Sequence, residues 1–99
     1  TQVKLKFAPQ AHEDLKGARA WWKKNRDKAP QLLREELKRA FALLKTQHDI
    51  GEVALDVGAQ GIRRFYLRGT RYFIYYEVHD DVVEVLRLWH ANRGEPPRL

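Results

Sequence analysis

Cysteine, serine and methionine are missing from this 99-residue chain. Without cysteine there is no disulfide, no thiolate nucleophile and no cysteine-held zinc, and a reducing compartment poses no difficulty. Without serine a Ser-His-Asp arrangement is excluded, and Thr46 and Thr70 fall in expected turns with no evident base beside them. No apolar run approaches the ~20 residues of a membrane span. At the N-terminus Val3, Leu5 and Phe7 alternate with Lys4 and Lys6, which is not a signal-peptide pattern. A cytoplasmic protein with no membrane partner is expected. The four histidines, His12, His48, His79 and His90, offer no pair at i, i+3 or i, i+4, so no metal site is expected. Gly58-Ala59-Gln60-Gly61 has no helix behind it to cradle a phosphate, and no cofactor is expected.

What the chain has is positive charge. Nineteen Lys and Arg against thirteen Asp and Glu give a net charge of +6 and a pI near 9.8. On so small a chain that balance favours a polyanionic or acidic partner. With 43% hydrophobic residues it can bury a modest core, and its length predicts one domain over residues 1–99.

The periodicities are clear in most of the chain. Residues 2–7 alternate as a strand. Pro9, tolerated in a first helical turn, opens a helix to Asn25 with an apolar stripe of Ala11, Leu15, Ala18 and Trp22. Glu13 and Asp14 are expected in its first turn and Lys23, Lys24 and Arg26 in its last, both favourable to the helix dipole. A polar joint over residues 25–30 leads to a second helix, from Ala29 or Pro30 to Thr46, with Leu33, Leu37, Ala40, Phe41 and Leu44 inward. So short a joint predicts an antiparallel helical hairpin. Residues 47–61 show no period beyond a short edge strand in 52–57. Three strands near 62–68, 71–78 and 82–89 follow, turned at Gly69-Thr70 and at His79-Asp80-Asp81. The fold class is therefore α+β: an N-terminal strand and a two-helix hairpin packed on one face of a small, mainly antiparallel sheet. The sheet's other face is expected to expose tyrosine, phenylalanine and arginine unless a partner covers it. Residues 93–99 are expected to form an extended arm, because two prolines bar regular structure.

One constellation stands out. Arg63, Arg64, Arg68 and Arg71 share a hairpin with Tyr66, Tyr72, Tyr75 and Tyr76, and His90 and Arg93 end the next strand. Arginine grips phosphate as a fork and tyrosine can stack a base. Histidine or tyrosine could move a proton in RNA cleavage while arginine steadies the phosphorane charge. Tyrosine is also a common strand residue, and an outer strand face is ordinarily charged. Trp22 belongs to the apolar stripe; Trp21 lies about 100° round from it and is a candidate contact residue.

The ordered run Val3-x-Leu5-x-Phe7-x-Pro9-x-Ala11-x-x-Asp14-Leu15, then Ile74-Tyr75-Tyr76-Glu77-Val78, Asp80-Asp81, Val82-Val83-x-Val85-Leu86 and His90-Ala91-Asn92-Arg93, resembles the RelE/ParE toxins along nearly the whole chain. That resemblance implies the toxin of a type II toxin–antitoxin pair, held inactive by an acidic, amphipathic antitoxin segment that folds on binding, in a hetero-oligomer. RelE-like members cleave mRNA on the ribosome, and ParE-like members poison DNA gyrase. Cleaving members carry an arginine where this chain has Phe73, basic residues where it has Ala91 and Asn92, and a C-terminal tyrosine absent from Pro96-Pro97-Arg98-Leu99. The resemblance therefore favours the ParE branch and gyrase, with the ribosome-dependent endonuclease as alternative and a non-toxic partner-binding module as second alternative. Target contacts are expected from Arg63, Arg64, Arg68, His90, Arg93 and Arg98, and antitoxin contacts from Trp21, Arg71, Tyr72, Phe73 and Tyr75. A nuclease would draw on Arg64, His90 and Arg93.

Overall fold

The computed structural model describes residues 3–26, 29 and 31–99. Strand β1 (Lys4–Phe7) leads into helix α1 (Pro9–Asn25), helix α2 (Leu32–Thr46) and strands β2 (Glu52–Val53), β3 (Arg63–Leu67), β4 (Tyr72–His79) and β5 (Val82–His90); a 3-10 turn covers Ala91–Arg93. The five strands form one sheet ordered β1-β5-β4-β3-β2. β1 runs parallel to β5 and every other pairing is antiparallel. This is the α+β architecture that the hydrophobic pattern predicts.

Both helical stripes point at the sheet. Ala11, Leu15, Ala18 and Trp22 of α1 and Leu33, Leu37, Ala40 and Leu44 of α2 are buried with Leu67, Tyr72, Ile74, Tyr76, Val83, Val85 and Leu88. Each large aliphatic side chain contributes about 1.5–3 kcal/mol before entropy is counted. Phe41, expected inside, is half-buried and meets Phe7 edge-on at 5.2 Å. The second helix starts at Leu32, later than expected. Asp27, Lys28 and Pro30 of the joint lie outside the described residues. The Trp22 indole N–H donates to the Ala29 carbonyl at 2.7 Å, tying the joint to α1.

Two expectations are corrected. The first turn of α1 holds no acidic residue. Asp14 is instead committed to the sheet: its carboxylate accepts from Arg87 Nε (2.7 Å), Arg87 Nη2 (3.1 Å) and the Leu88 backbone N–H (3.1 Å). The pairing of β1 with β5 stops at Val85, and Asp14 supplies the acceptor that the β5 edge lacks beyond it.

The second correction concerns the outer face of the sheet. It is not left to a partner. Ala54, Val57, Ile62 and Tyr75 form a second buried cluster, with Ala59, Phe73, Leu86 and Trp89 packed around it. The loop after β2 covers this face, helped by positive φ at Gly58 and Gly61 (77 and 78). The C-terminal arm finishes the cover. Pro97 is fully buried, Leu99 N–H donates to the Val57 carbonyl (2.7 Å), and Trp89 Nε1–H donates to the Glu95 carbonyl (2.7 Å).

A β-bulge makes both clusters possible. The register shifts between Tyr75 and Tyr76, so that Tyr76 opposes Val85 and Tyr75 opposes Arg87. Val83 and Val85 face the helices, and the extra residue Leu86 switches the parity so that Leu88 faces them too.

Candidate functional site: a groove beside α1

The β3–β4 hairpin turns through Arg68 to Arg71, and Arg71 takes the left-handed conformation (φ 64) to close it. Glu36 of α2 clamps this turn, accepting from Gly69 N–H (2.7 Å), Thr70 N–H (2.9 Å) and the Thr70 hydroxyl (2.5 Å). The turn, the end of β5 and α1 then enclose a groove of about 1080 Å³. Trp21, Arg26, Arg71, Tyr72, His90 and Arg93 are among the residues that line it. Residues expected at an antitoxin surface and residues expected at a target surface thus share one groove.

The groove is aromatic and positive. Trp21 is 47% exposed, and the Arg26 guanidinium lies 6.0 Å from its ring centre. His90 meets Tyr72 edge-on at 4.8 Å, and its Nδ1 accepts the Asn92 backbone N–H (3.1 Å). Arg93 stacks over Trp89 at 4.0 Å, which leaves its charge toward the groove without an ion partner among the described residues. Arg26 and Arg71 are likewise unpaired among the described residues; of the two carboxylates on the groove wall, Asp14 is held by Arg87 and Glu13 has no ion pair among the described residues, so the arginines outnumber the free carboxylate. Burial pushes the Tyr72 hydroxyl above its ordinary value of 10.0, against the pull of Arg93. Tyr72 therefore remains a neutral donor at physiological pH.

The other singled-out residues lie elsewhere. Arg63 Nη1 donates to the Gly51 (2.6 Å) and Asp49 (3.1 Å) carbonyls. Arg64 is bound by Glu52 (2.6 Å), Asp56 (3.1 Å) and the Tyr75 hydroxyl (3.4 Å), and lies 5.5 Å from the Phe73 ring centre. Its hydrogen bonds to Glu52, then Tyr75, hold it charged beyond the ordinary arginine range. Phe73 sits beside Arg64, half-buried, and Tyr75 is 2% exposed within the second cluster, so neither belongs to the groove. Tyr76 is fully buried: its hydroxyl accepts from Gly51 N–H (2.9 Å) and donates to the His48 carbonyl (2.8 Å). A Cβ on Gly51 would stand 2.6 Å from that hydroxyl, so only glycine fits.

A second cleft, about 800 Å³, runs between α2 and the outer edge of β3, with Leu43, Ile50, Phe65 and Leu67 along it and Arg39 and Arg68 at its rim. β2 covers only Arg63 and Arg64 of that edge, so residues 65–67, paired with β4 on their other side, have no strand neighbour there among the described residues. Sequence reasoning placed Arg68 by the turn but missed Arg26, Arg39 and the role of Glu36. A lone carboxylate on the polar side of a helix carries no sign of a turn 33 residues away.

The model for "ParE toxin of type II toxin-antitoxin system, parDE" matches residues 5–94. Among solved structures the chain is similar to one described as the chromosomal ParDE TA system from P. aeruginosa, at 19% identity over 89% of this chain and 95% of that one, with a TM-score of 0.64. It is similar to YafQ from E. coli strain BL21(DE3), at 19% identity, 92% and 96% coverage and a TM-score of 0.63. It also resembles the E. coli DinJ-YafQ toxin-antitoxin complex, at 16% identity, 93% and 96% coverage and a TM-score of 0.60. At these identities the structural likeness bears on the fold alone. No curated protein sequence matches the chain.

Proposed function

Because the chain belongs to the ParE toxins of type II toxin–antitoxin systems, we propose that it arrests growth by poisoning DNA gyrase, and that an antitoxin seated in the α1 groove keeps it silent. One observation carries the choice of gyrase. The three residues that RNA cleavage would draw on are split between two clefts. Arg64 lines the cleft along β3, while His90 and Arg93 line the groove beside α1. Arg64 is also neutralised by two carboxylates of its own chain, which leaves little charge for a phosphorane. Tyr72, held protonated, is a poor base. The ribosome-dependent endonuclease is the rival reading and would require these groups to meet around one phosphate.

The antitoxin is expected to be acidic, amphipathic and disordered until bound. Its apolar face would lie on Trp21 and Tyr72 and its carboxylates would meet Arg26, Arg71 and Arg93. A further stretch would add as a strand at the open β3 edge, beneath Arg39 and Arg68. Target contact falls to Arg68, Arg93 and Arg98, which make no ion pair among the described residues, with His90, once the antitoxin has left; Arg63 serves chiefly to hold the loop after α2, and Arg64 to hold β2 and the loop after it. No helix among the described residues is long and apolar enough to cross a membrane, and both gyrase and antitoxin would be met in the cytoplasm.

The test is induced expression in a bacterial host without antitoxin, reading growth, DNA-damage signalling and mRNA integrity together. Arrest with damage signalling and intact mRNA is expected. Arrest with translated mRNA cut within codons would replace gyrase by the ribosome, and unimpaired growth would overturn the toxin reading for this chain.

A further inference from the structure

Away from the groove, at the far end of the β4–β5 hairpin, three metal-ligating side chains converge. Glu77 and Glu84 are register partners on adjacent antiparallel strands, and His79 follows Glu77 by two residues, which puts it on the same face. His79 Nε2 lies 2.7 Å from Glu77 Oε1 and 3.6 Å from Glu84 Oε1. One ligand atom from each of the three lies within 4.8 Å of the others. Asp80, with φ 52, makes the tight turn that holds His79 in this register. Spacing along the sequence could not reveal the set, because it exists only through the pairing of two strands.

The charges call for a cation. Like charges directly opposite each other on a strand pair are destabilising, and the Glu77 and Glu84 side chains are only 26% and 24% exposed, so water screens them incompletely. Lys6 on β1 is the register partner of Glu84 but makes no ion pair with it among the described residues; Lys4, its neighbour on that face, pairs in register with Val82. A protonated imidazole brings one positive charge to two carboxylates, whereas a divalent ion brings two.

We propose that Glu77, His79 and Glu84 form a binding site for a divalent transition ion of the zinc class. One imidazole nitrogen with two carboxylate oxygens is a donor set that zinc accepts, with a fourth position open to water. Calcium and magnesium prefer all-oxygen shells and gain nothing from the imidazole. Tetrahedral zinc with ligands at ~2.0–2.1 Å needs donor atoms ~3.3–3.4 Å apart. The Nε2 to Glu84 separation of 3.6 Å is close to that, and the Glu77 contact has to open by less than an ångström. The site stands roughly 23 Å along the hairpin from His90, at ~3.3 Å per strand residue. Its ion would brace the hairpin rather than touch the groove.

The experiment is calorimetric titration of zinc chloride into the full chain, made without a polyhistidine tag and freed of chelator, with unfolding curves recorded alongside. One zinc per chain is expected, with the unfolding midpoint raised on the order of 10 °C at a hundredfold excess over Kd. Magnesium should do neither. His79→Ala and Glu84→Gln should each weaken zinc binding at least tenfold while keeping the far-ultraviolet dichroism of the parent, and His48→Ala should bind as the parent does. Absence of binding, equal binding by His79→Ala, or loss of binding in His48→Ala would each overturn the site.

Discussion

Asp14 and Arg87, 73 residues apart, form a forked ion pair that joins α1 to β5, and the same carboxylate also takes the Leu88 backbone N–H. Three donors converge on one carboxylate whose side chain is 9% exposed. Removing it leaves a guanidinium and a strand N–H without acceptors in a place that water reaches poorly. Asp14→Ala is expected to cost about 2–4 kcal/mol, lowering the unfolding midpoint by roughly 10–20 °C. Chemical denaturation measures this. Asp14→Ala combined with Arg87→Met should recover part of the loss, because no charge is then stranded; a strictly additive double variant would show that the pair is not the source.

The clamp of Glu36 on the β3–β4 turn works in the same way at the other helix. Thr70 is 2% exposed, and both its N–H and its hydroxyl depend on the Glu36 carboxylate. Glu36→Ala should destabilise by about 2 kcal/mol and should speed amide exchange at Gly69 and Thr70 far more than in β5. Since this turn walls the groove, the variant should also weaken antitoxin binding. Protection of both amides equal to the parent's would contradict the clamp.

These two carboxylates mark where the sequence stops being legible. The helices, the three long strands and most of the core follow from periodicity, because each stripe has to be buried by something and the sheet is the available surface. Asp14 and Glu36 sit on polar sides of helices, where a carboxylate ordinarily meets water, and only the tertiary fold gives them partners. The covered outer face was hidden for a related reason. Tyr75 and Phe73 read as exposed because the loop over residues 54–62 has no period and the arm has two prolines, yet these segments supply Val57 and Pro97 as the lid. The bulge at Leu86 was also invisible: simple alternation from Val83 and Val85 would turn Arg87 inward, and the extra residue turns Leu88 inward instead. Within the candidate site Trp21, Arg71, His90 and Arg93 were legible as single residues, while their meeting in one groove was not.

The alkaline limb of stability should belong to two tyrosines. Burial raises both Tyr72 and Tyr76 above the ordinary 10.0. The unfolded chain therefore loses these protons first, so it binds fewer protons than the native state once pH exceeds about 10, and stability falls as pH rises through that range. Below pH 10 their contribution is fully present. Urea midpoints taken from pH 8 to 11 should decline steeply above 10, and Tyr72→Phe should flatten the decline. Tyr76→Phe should flatten it as well, but from a lower starting stability, by about 1–3 kcal/mol, because Gly51 N–H then loses its acceptor. An unchanged decline in both variants would assign the alkaline limb to lysine or to net charge.

The groove and the Arg64 cluster should separate cleanly in antitoxin binding. Trp21 is a large, exposed aromatic in a groove with three arginines that make no ion pair among the described residues, the composition of a binding hot spot. Trp21→Ala and Arg71→Ala are each expected to weaken antitoxin affinity by about ten- to a hundredfold, or about 1.4–2.7 kcal/mol, with little change in the toxin's own unfolding midpoint. Arg64→Ala should behave in the opposite way, lowering stability by about 1–2 kcal/mol through the loss of its bonds to Glu52 and Asp56 while affinity changes less than threefold. Raising salt from 0.05 to 0.5 M should weaken the parent complex steeply and the Arg71→Ala complex less so, since one screened contact is already gone. If Arg64→Ala were the variant that lost affinity and Trp21→Ala the one that did not, the groove would be ruled out as the antitoxin's seat and the β3 edge would be its main contact.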